Sequence, residues 1–312
     1  MTRHFLKDTD LTPSELGEVL DLAQRMKAEP YAFRPLEGPQ TVAVVFDKTS
    51  TRTRVSFATG IAALGGNPLI INPGESQMGH KESIADSARV FSRMVSAIVW
   101  RTFAHAGLEE MAAHSSVPVI NSLSDDYHPC QLLADLLTIR EHRGTGEGNG
   151  LAGLKLAYFG DGANNMAHSY LLACANAGMD VAIAAPASAQ PAAHVVDEAR
   201  ALGETTGSSV LVTEDPAEAA RNADVLVTDT WISMGQEDDG RSGEDSPFVP
   251  YRVTQELMDL GRNPIFMHCL PAYRGHEVDA EVIDGPASVV FDEAENRLHA
   301  QKALLAWLVG RS

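Results

Sequence analysis

Apolar positions along the chain alternate between two periods. Leu16, Val19, Leu20, Ala23 and Met26 recur at three- and four-residue steps, the stripe of an amphipathic helix. Its start is marked by Thr12-Pro13-Ser14-Glu15, where Thr12 suits the N-cap, Pro13 the first helical position and Glu15 the far side of a capping box. Beyond it, short apolar runs alternate with helical stretches. Residues 41–46, 69–71, 97–100 and 117–120 read as strands, and 54–64, 83–94, 108–113 and 130–142 as helices. Between Gly144 and Gly150 glycine takes four of seven positions, too many for a helix interior, so the first series ends there in a turn or boundary. A second series follows, with strands at 154–159, 181–184, 210–212, 225–228 and 265–268 and helices at 166–177, 192–202 and 216–221. The last helix, 294–309, carries Leu298, Leu304, Leu305 and Leu308.

Strands separated by helices imply parallel sheets covered on both faces. The expected fold is therefore α/β: two doubly wound parallel-sheet domains joined by interdomain helices. Residues 1–143 and 298–312 are expected in the first domain and 144–297 in the second. A length of 312 residues agrees with two domains at about 150 residues each. No 20–50-residue repeat interrupts this pattern.

Composition narrows the partners. Twenty-four basic against 42 acidic residues leave a formal charge of −18, which repels phosphate backbones and anionic lipid at long range. Neither nucleic acid nor a membrane is an expected partner. An anionic small molecule is still accessible, provided a few cations and helix N-termini are concentrated in one place. Cys130, Cys174 and Cys269 are odd in number and widely spaced, unlike a disulfide framework or a structural zinc site. With no apolar run near 18 residues and no signal-like N-terminus, the expected location is cytoplasmic.

In open α/β sheets ligands bind beyond the carboxyl ends of strands, and polar residues follow strands at five places. After 41–46 comes Ser50-Thr51-Arg52-Thr53-Arg54, which offers a helix N-terminus and guanidinium forks to a phosphate, or is a capped helix with solvated arginines. Arg101 directly follows a strand, as a ligand or as a structural ion pair. His128-Pro129-Cys130-Gln131 sets a carbonyl donor and an amide one turn apart, or simply caps a helix. Gly160-Asp161-Gly162-Ala163-Asn164-Asn165 lacks the third glycine of a dinucleotide loop, and its asparagine pair suits a ligand with a carboxylate and an amine. Finally, Asp229 and Cys269 each follow a short strand, and could meet around an amine, although a single cysteine is more often a buried structural one. The acidic, glycine-bearing stretch 235–250 reads as a mobile loop or lid.

Taken together, Ser-Thr-Arg-Thr-Arg, His-Pro-Cys-Gln, Asp-x-x-x-Ser-Met-Gly and His-Cys-Leu-Pro, in this order, resemble the ornithine branch of the aspartate/ornithine carbamoyltransferase family. The aspartate branch typically carries His-Pro-Leu-Pro where this chain has His268-Cys269-Leu270-Pro271. The resemblance implies a carbamoyltransferase that needs no cofactor or metal. In it the first domain takes carbamoyl phosphate and the second takes L-ornithine. Ser50, Thr51, Arg52 and Thr53 would hold the phosphate, and Arg101 would bridge toward the carbamoyl group. His128, Gln131 and Arg297 would bind the carbamoyl group, with Cys269 and the Leu270 backbone at the reacting amine. Asn165, Asp229, Ser233 and Met234 would bind ornithine, with Asn164 the alternative to Asn165. Gln77 resembles the family's loop that reaches into a neighbouring subunit, which implies a homotrimer with active sites at subunit interfaces. Arg101, His128 and Cys269 are the expected catalytic residues.

The chemistry implied is attack of a neutral amine on a carbonyl with a good leaving group. Rate is expected to rise toward alkaline pH, and carbamoyl phosphate to bind before ornithine. Rival readings are a carbamoyltransferase acting on aspartate, putrescine or an acylated ornithine, a noncatalytic ligand sensor on the same fold, and a dinucleotide-dependent dehydrogenase.

Overall fold

The protein is described from a computed structural model over residues 2–76, 78–79, 81–146, 148–232, 243 and 245–310. It divides into two compact units, Met1–Leu137 with Glu295–Ser312, and Thr138–Ala294. The first contains α1 (Pro13–Ala28), β1 (Thr41–Phe46), α2 (Thr51–Ala63), β2 (Asn67–Ile71), α3 (Ile84–Phe91), β3 (Ala97–Arg101), α4 (His105–His114), β4 (Val119–Leu123) and the start of α5 (Pro129–Arg143). The second contains β5 (Lys155–Phe159), α6 (Asn165–Ala177), β6 (Asp180–Ala184), α7 (Ala193–Thr206), β7 (Val210–Thr213), α8 (Pro216–Ala220) and β8 (Val225–Thr228). Then come α9 (Gln255–Asp259), β9 (Ile265–His268), α10 (Ala280–Ile283) and the start of α11 (Val290–Val309).

The sheets run β2-β1-β3-β4 and β7-β6-β5-β8-β9, with every strand pair parallel. The fold is α/β with two parallel sheets, as the alternating pattern implies. β3 and β9 are buried along their whole length, and β1 along all but its first residue, which is why these strands read as continuous apolar runs. In the first unit Val45, Ile98, Trp100, Leu108 and Met111 share a core. In the second, Ala157, Phe159, Leu226, Phe266 and Val282 do so.

Strand order reverses beside β1 in the first sheet and beside β5 in the second. These are topological switch points, where crossovers diverge to opposite sides and leave a crevice at the strands' carboxyl ends. The loops after β1, β3, β5 and β8 are thereby singled out for ligand binding.

The α1 cap forms as expected: Thr12 Oγ1 accepts from Glu15 N, and Glu15 Oε2 accepts from Thr12 N. Other boundaries shift. The units divide at 137/138 and 294/295, not at 143/144 and 297/298. The C-terminal part of α5, residues 138–143, belongs to the second unit, where Arg143 hydrogen-bonds the buried Asp224 at 3.2 Å. Arg297 belongs to the first because its partners are Thr53 and Gln131. α11 starts at Val290, four residues before the expected 294, and the short α9 and α10 lie where no helix was expected. Of the 235–250 stretch, 235–242 and 244 lie outside the described residues. Its end is not a loose loop: Phe248 is buried and packs on Trp231 with ring centroids 6.0 Å apart.

Candidate active site

The first cluster grows from the carboxyl ends of β1 and β3. Ser50 is the N-cap of α2, its Oγ accepting from Thr53 N at 3.3 Å. Thr51 and Arg52 follow as the first helical residues, and the first turn carries no acidic side chain. The backbone donors and positive dipole end of α2 are therefore not neutralised from within the helix. The loop is tied to β3 by Asp47, whose N–H donates to Arg101 O at 2.8 Å and whose Oδ2 accepts from Trp100 Nε1 at 2.8 Å. β3–β4 pairing shifts register between Trp100 and Arg101, a bulge of the kind that re-aims a side chain. Arg101 is buried at that position, 4% exposed.

His128 stands at the head of α5, its carbonyl accepting from Gln131 N at 2.9 Å. Burial, reinforced by the Arg297 and Arg101 guanidiniums, holds its imidazole well below the ordinary histidine range. It is therefore neutral, with one ring nitrogen a donor and the other an acceptor. Cys130 is a thiol, because burial pushes it up to about 12.

One helical turn on, Gln131 Nε2 donates to Asp135 Oδ1 at 2.8 Å, and its Oε1 accepts from Arg297 Nη1. Arg297 Nη2 also donates to Thr53 Oγ1 at 3.1 Å. With Gln301 oriented to satisfy both amide ends, its oxygen accepts from Arg297 Nε and Nη2 at 3.0 Å each. The guanidinium plane is thus fixed on several sides, and the structure brings Ser50, Thr53, Gln131 and Arg297 into one hydrogen-bonded group.

The second cluster grows from β5, β8 and β9. Asn164 caps α6: its Oδ1 accepts from Ala167 N at 2.8 Å and its Nδ2 donates to Tyr158 Oη at 2.9 Å. Both ends of that amide are engaged in holding the turn. Asn165 is the first residue of the helix. Asp229 Oδ1 accepts from Thr230 N at 2.7 Å and from the Cys269 thiol at 3.2 Å. Burial raises the Asp229 carboxyl above the usual carboxylate range, against the opposing effect of these two hydrogen bonds.

Leu270 adopts φ 58°, a left-handed conformation uncommon for a branched residue. It is held by a hydrogen bond from its N–H to His268 Nδ1 at 2.9 Å. Because Nδ1 accepts, the ring proton lies on Nε2, 3.1 Å from Glu277 Oε1. His268 N in turn donates to Glu293 Oε2 at 2.8 Å. Asp229, His268 and Cys269 also have potential ligand atoms within 4.8 Å of one another. Within this group the Cys269 thiol donates to Asp229 Oδ1, and His268 Nδ1 accepts from Leu270 N.

Gln77, Ser233 and Met234 lie outside the described residues. Asp135, Tyr158, His268 and Glu277 were not among the expected site residues. Asp135 had a readable signal, since it is four residues from Gln131 and on the same helix face. Glu277 had none, because its partner His268 ends β9, nine residues earlier.

Two family descriptions match nearly the whole chain: "Aspartate/ornithine carbamoyltransferase, carbamoyl-P binding domain" over residues 3–141, and the corresponding "Asp/Orn binding domain" over 152–308. The chain belongs to the aspartate/ornithine carbamoyltransferase family. It is 65% identical to an ornithine carbamoyltransferase of Renibacterium salmoninarum, covering all of both chains. It is 59% identical to that of Corynebacterium glutamicum, over 98% of this chain and 96% of the relative. Among solved structures it matches an ornithine carbamoyltransferase from Pyrococcus furiosus with TM-score 0.91 and 43% identity, over 99% of this chain and 97% of the other. The carbamoyltransferase family thus accounts for the order of motifs from Ser50 to Leu270, and no helix of the described residues is long and apolar enough to cross a membrane.

Proposed function

We propose that this protein is an ornithine carbamoyltransferase, moving the carbamoyl group of carbamoyl phosphate to the side-chain amine of L-ornithine to give L-citrulline and phosphate. The observation that carries the acceptor assignment is the Asp229–Cys269 contact at 3.2 Å. A carboxylate at that position attracts the amine of ornithine and repels the second carboxylate of aspartate. The high identity to ornithine carbamoyltransferases supports the same reading.

In this proposal Ser50, Thr51, Arg52 and Thr53 hold the phosphate, using the α2 N-terminus and the Arg52 guanidinium. Arg101 and neutral His128 face the carbonyl oxygen as it gains charge. Gln131 and Arg297 hold the carbamoyl amide and carbonyl. Asn165, Ser233 and Met234 bind the amino-acid end of ornithine. Asn165, the first residue of α6, is the choice over Asn164. The amine, with a lysine-like pKa near 10.4, reacts in its neutral form. It attacks the carbonyl carbon, the bond from that carbon to the phosphate oxygen breaks, and phosphate departs. Cys269 Sγ and the Leu270 carbonyl accept hydrogen bonds from the amine and orient it, and the one proton the amine loses leaves with the phosphate. The proposal extends to a cytoplasmic homotrimer with Gln77 reaching a neighbouring subunit, serving arginine biosynthesis.

The deciding assay is citrulline formation from carbamoyl phosphate and L-ornithine. Aspartate, putrescine and N-acetylornithine serve as competing acceptors, and Arg52→Ala as the comparison. Ornithine should be the preferred acceptor. Arg52→Ala should lose about 100-fold or more in kcat/KM for carbamoyl phosphate. Equal activity of both proteins would refute the phosphate assignment.

A further inference from the structure

We propose that Asp135 is a positioning residue that makes the carbamoyl half of the site selective for an amide. It does so by fixing which end of the Gln131 side chain faces Arg297. This rests on the reading of Gln131 and Arg297 as groups that address the carbamoyl group.

The argument is one of polarity. An amide side chain can occupy one volume in two orientations, with a donor or an acceptor at a given point. A guanidinium only donates, so the end of Gln131 turned to Arg297 must be Oε1, as observed. Nε2 then points to the opposite side, where Asp135 Oδ1 accepts it at 2.8 Å. Arg297 alone is an insecure lock, because it is also assigned to the ligand and its guanidinium is shared with Thr53 and Gln301. Asp135 has no such second duty toward substrate. It is fully buried and sits four residues along α5 from Gln131, so the pair is held by the helix itself. With Nε2 fixed on Asp135, an acceptor is presented on the Arg297 side throughout binding.

An acceptor there matches the N–H of a carbamoyl group. It gives nothing to the methyl group of an acetyl phosphate, which has the same shape and the same phosphate. Discrimination between these two ligands therefore reports on the orientation of Gln131. Affinity for phosphate alone does not, since phosphate is held by α2.

The test is calorimetric titration of the full-length protein with carbamoyl phosphate, acetyl phosphate and inorganic phosphate, for wild type, Asp135→Ala, Asp135→Asn and Gln131→Ala. In Asp135→Ala, affinity for carbamoyl phosphate should fall about tenfold, while acetyl phosphate and phosphate stay within about twofold of wild type. Asp135→Asn, whose Oδ1 can still accept from Gln131 Nε2, should recover most of the carbamoyl phosphate affinity. A parallel fall for all three ligands, or no fall for any, would overturn the proposal, as would failure of the asparagine variant to rescue. If Gln131→Ala leaves the carbamoyl-to-acetyl ratio unchanged, the underlying reading of Gln131 is wrong. If Gln131→Ala collapses the ratio and Asp135→Ala does not, the positioning role alone is wrong. Should Asp135→Ala not fold, Asp135→Leu, of similar volume and without an acceptor, carries the same expectation.

Discussion

At Asp229 one carboxylate oxygen accepts both a backbone N–H and a thiol, and the group is partly desolvated. Its raised pKa means that it takes up a proton at a higher pH than an ordinary carboxylate, and in doing so loses its attraction for an ammonium group. As pH falls, KM for ornithine should therefore begin to increase at a higher pH than an ordinary carboxylate would set. Asp229→Asn should show a raised KM for ornithine, by about tenfold or more, with KM for carbamoyl phosphate within about twofold. Titrating initial rates against each substrate separates the two effects. His128 is depressed well below 6.5, so it does not titrate between pH 6 and 9. Across that window the neutral fraction of the amine grows about tenfold per pH unit below its pKa, so kcat/KM for ornithine should rise. A flat profile from pH 6 to 9 would show that amine deprotonation does not limit the reaction.

At the scale of elements, the caps hold the helix starts that the proposed function assigns to ligands. Ser50→Ala should cost about 1 kcal/mol of stability in a denaturant titration. It should also weaken phosphate inhibition, since it exposes an uncapped N–H and loosens the first turn of α2. Gly162→Ala should destabilise the loop after β5 more severely, because an added Cβ would meet Ala189 O at 2.8 Å and the Ala185 Cβ at 2.9 Å. That fall would register as a lowered Tm together with weaker ornithine binding.

Most elements were legible in the amino-acid pattern, because buried parallel strands such as Thr41–Phe46 are unbroken apolar runs and α1 carries its own start signal. The short α9 and α10 were not, since five- and four-residue helices have too few turns to show a period. The early start of α11 was hidden because Val290 and Phe291 resemble a strand as much as a helix. Within the site, polar residues at strand ends were legible as candidates. The scaffold beneath them was not: the links from Glu277 and Glu293 to His268 join positions separated by 9 and 25 residues, with no local spacing to reveal them.

Across the whole molecule, electrostatics works at two ranges. The −18 net charge sets long-range repulsion toward polyanions, whereas Arg101 and Arg297 are buried and act at contact distance. A third charged site serves stability. Asp224 is buried at the head of β8 and accepts from Arg262 Nη2 at 2.7 Å, Arg262 Nε and Lys155 N at 2.9 Å, and Arg143 Nη2 at 3.2 Å. Burial pushes this carboxyl up, and the hydrogen bonds from Arg262, Lys155 and Arg143 more than offset it, so it lies below 3.8. Its contribution is complete above that ordinary value and is lost as pH falls through the lowered one. Asp224→Asn should lower stability by about 2 kcal/mol at pH 7. It should also flatten the fall in Tm as pH drops below about 4, which thermal melts at graded pH would check.

α11 has a consequence for the order in which the protein can be made. Arg297 is joined through hydrogen bonds to Thr53 and Gln131, residues translated well over a hundred positions earlier. The first sheet leaves the ribosome complete, but the group that would grip the carbamoyl moiety waits for α11. Contacts of such sequence separation form late and slowly. A nascent chain halted before residue 297 would therefore hold the start of α2 without its guanidinium partner, and on the proposed function substrate would join the final stage of folding rather than precede it.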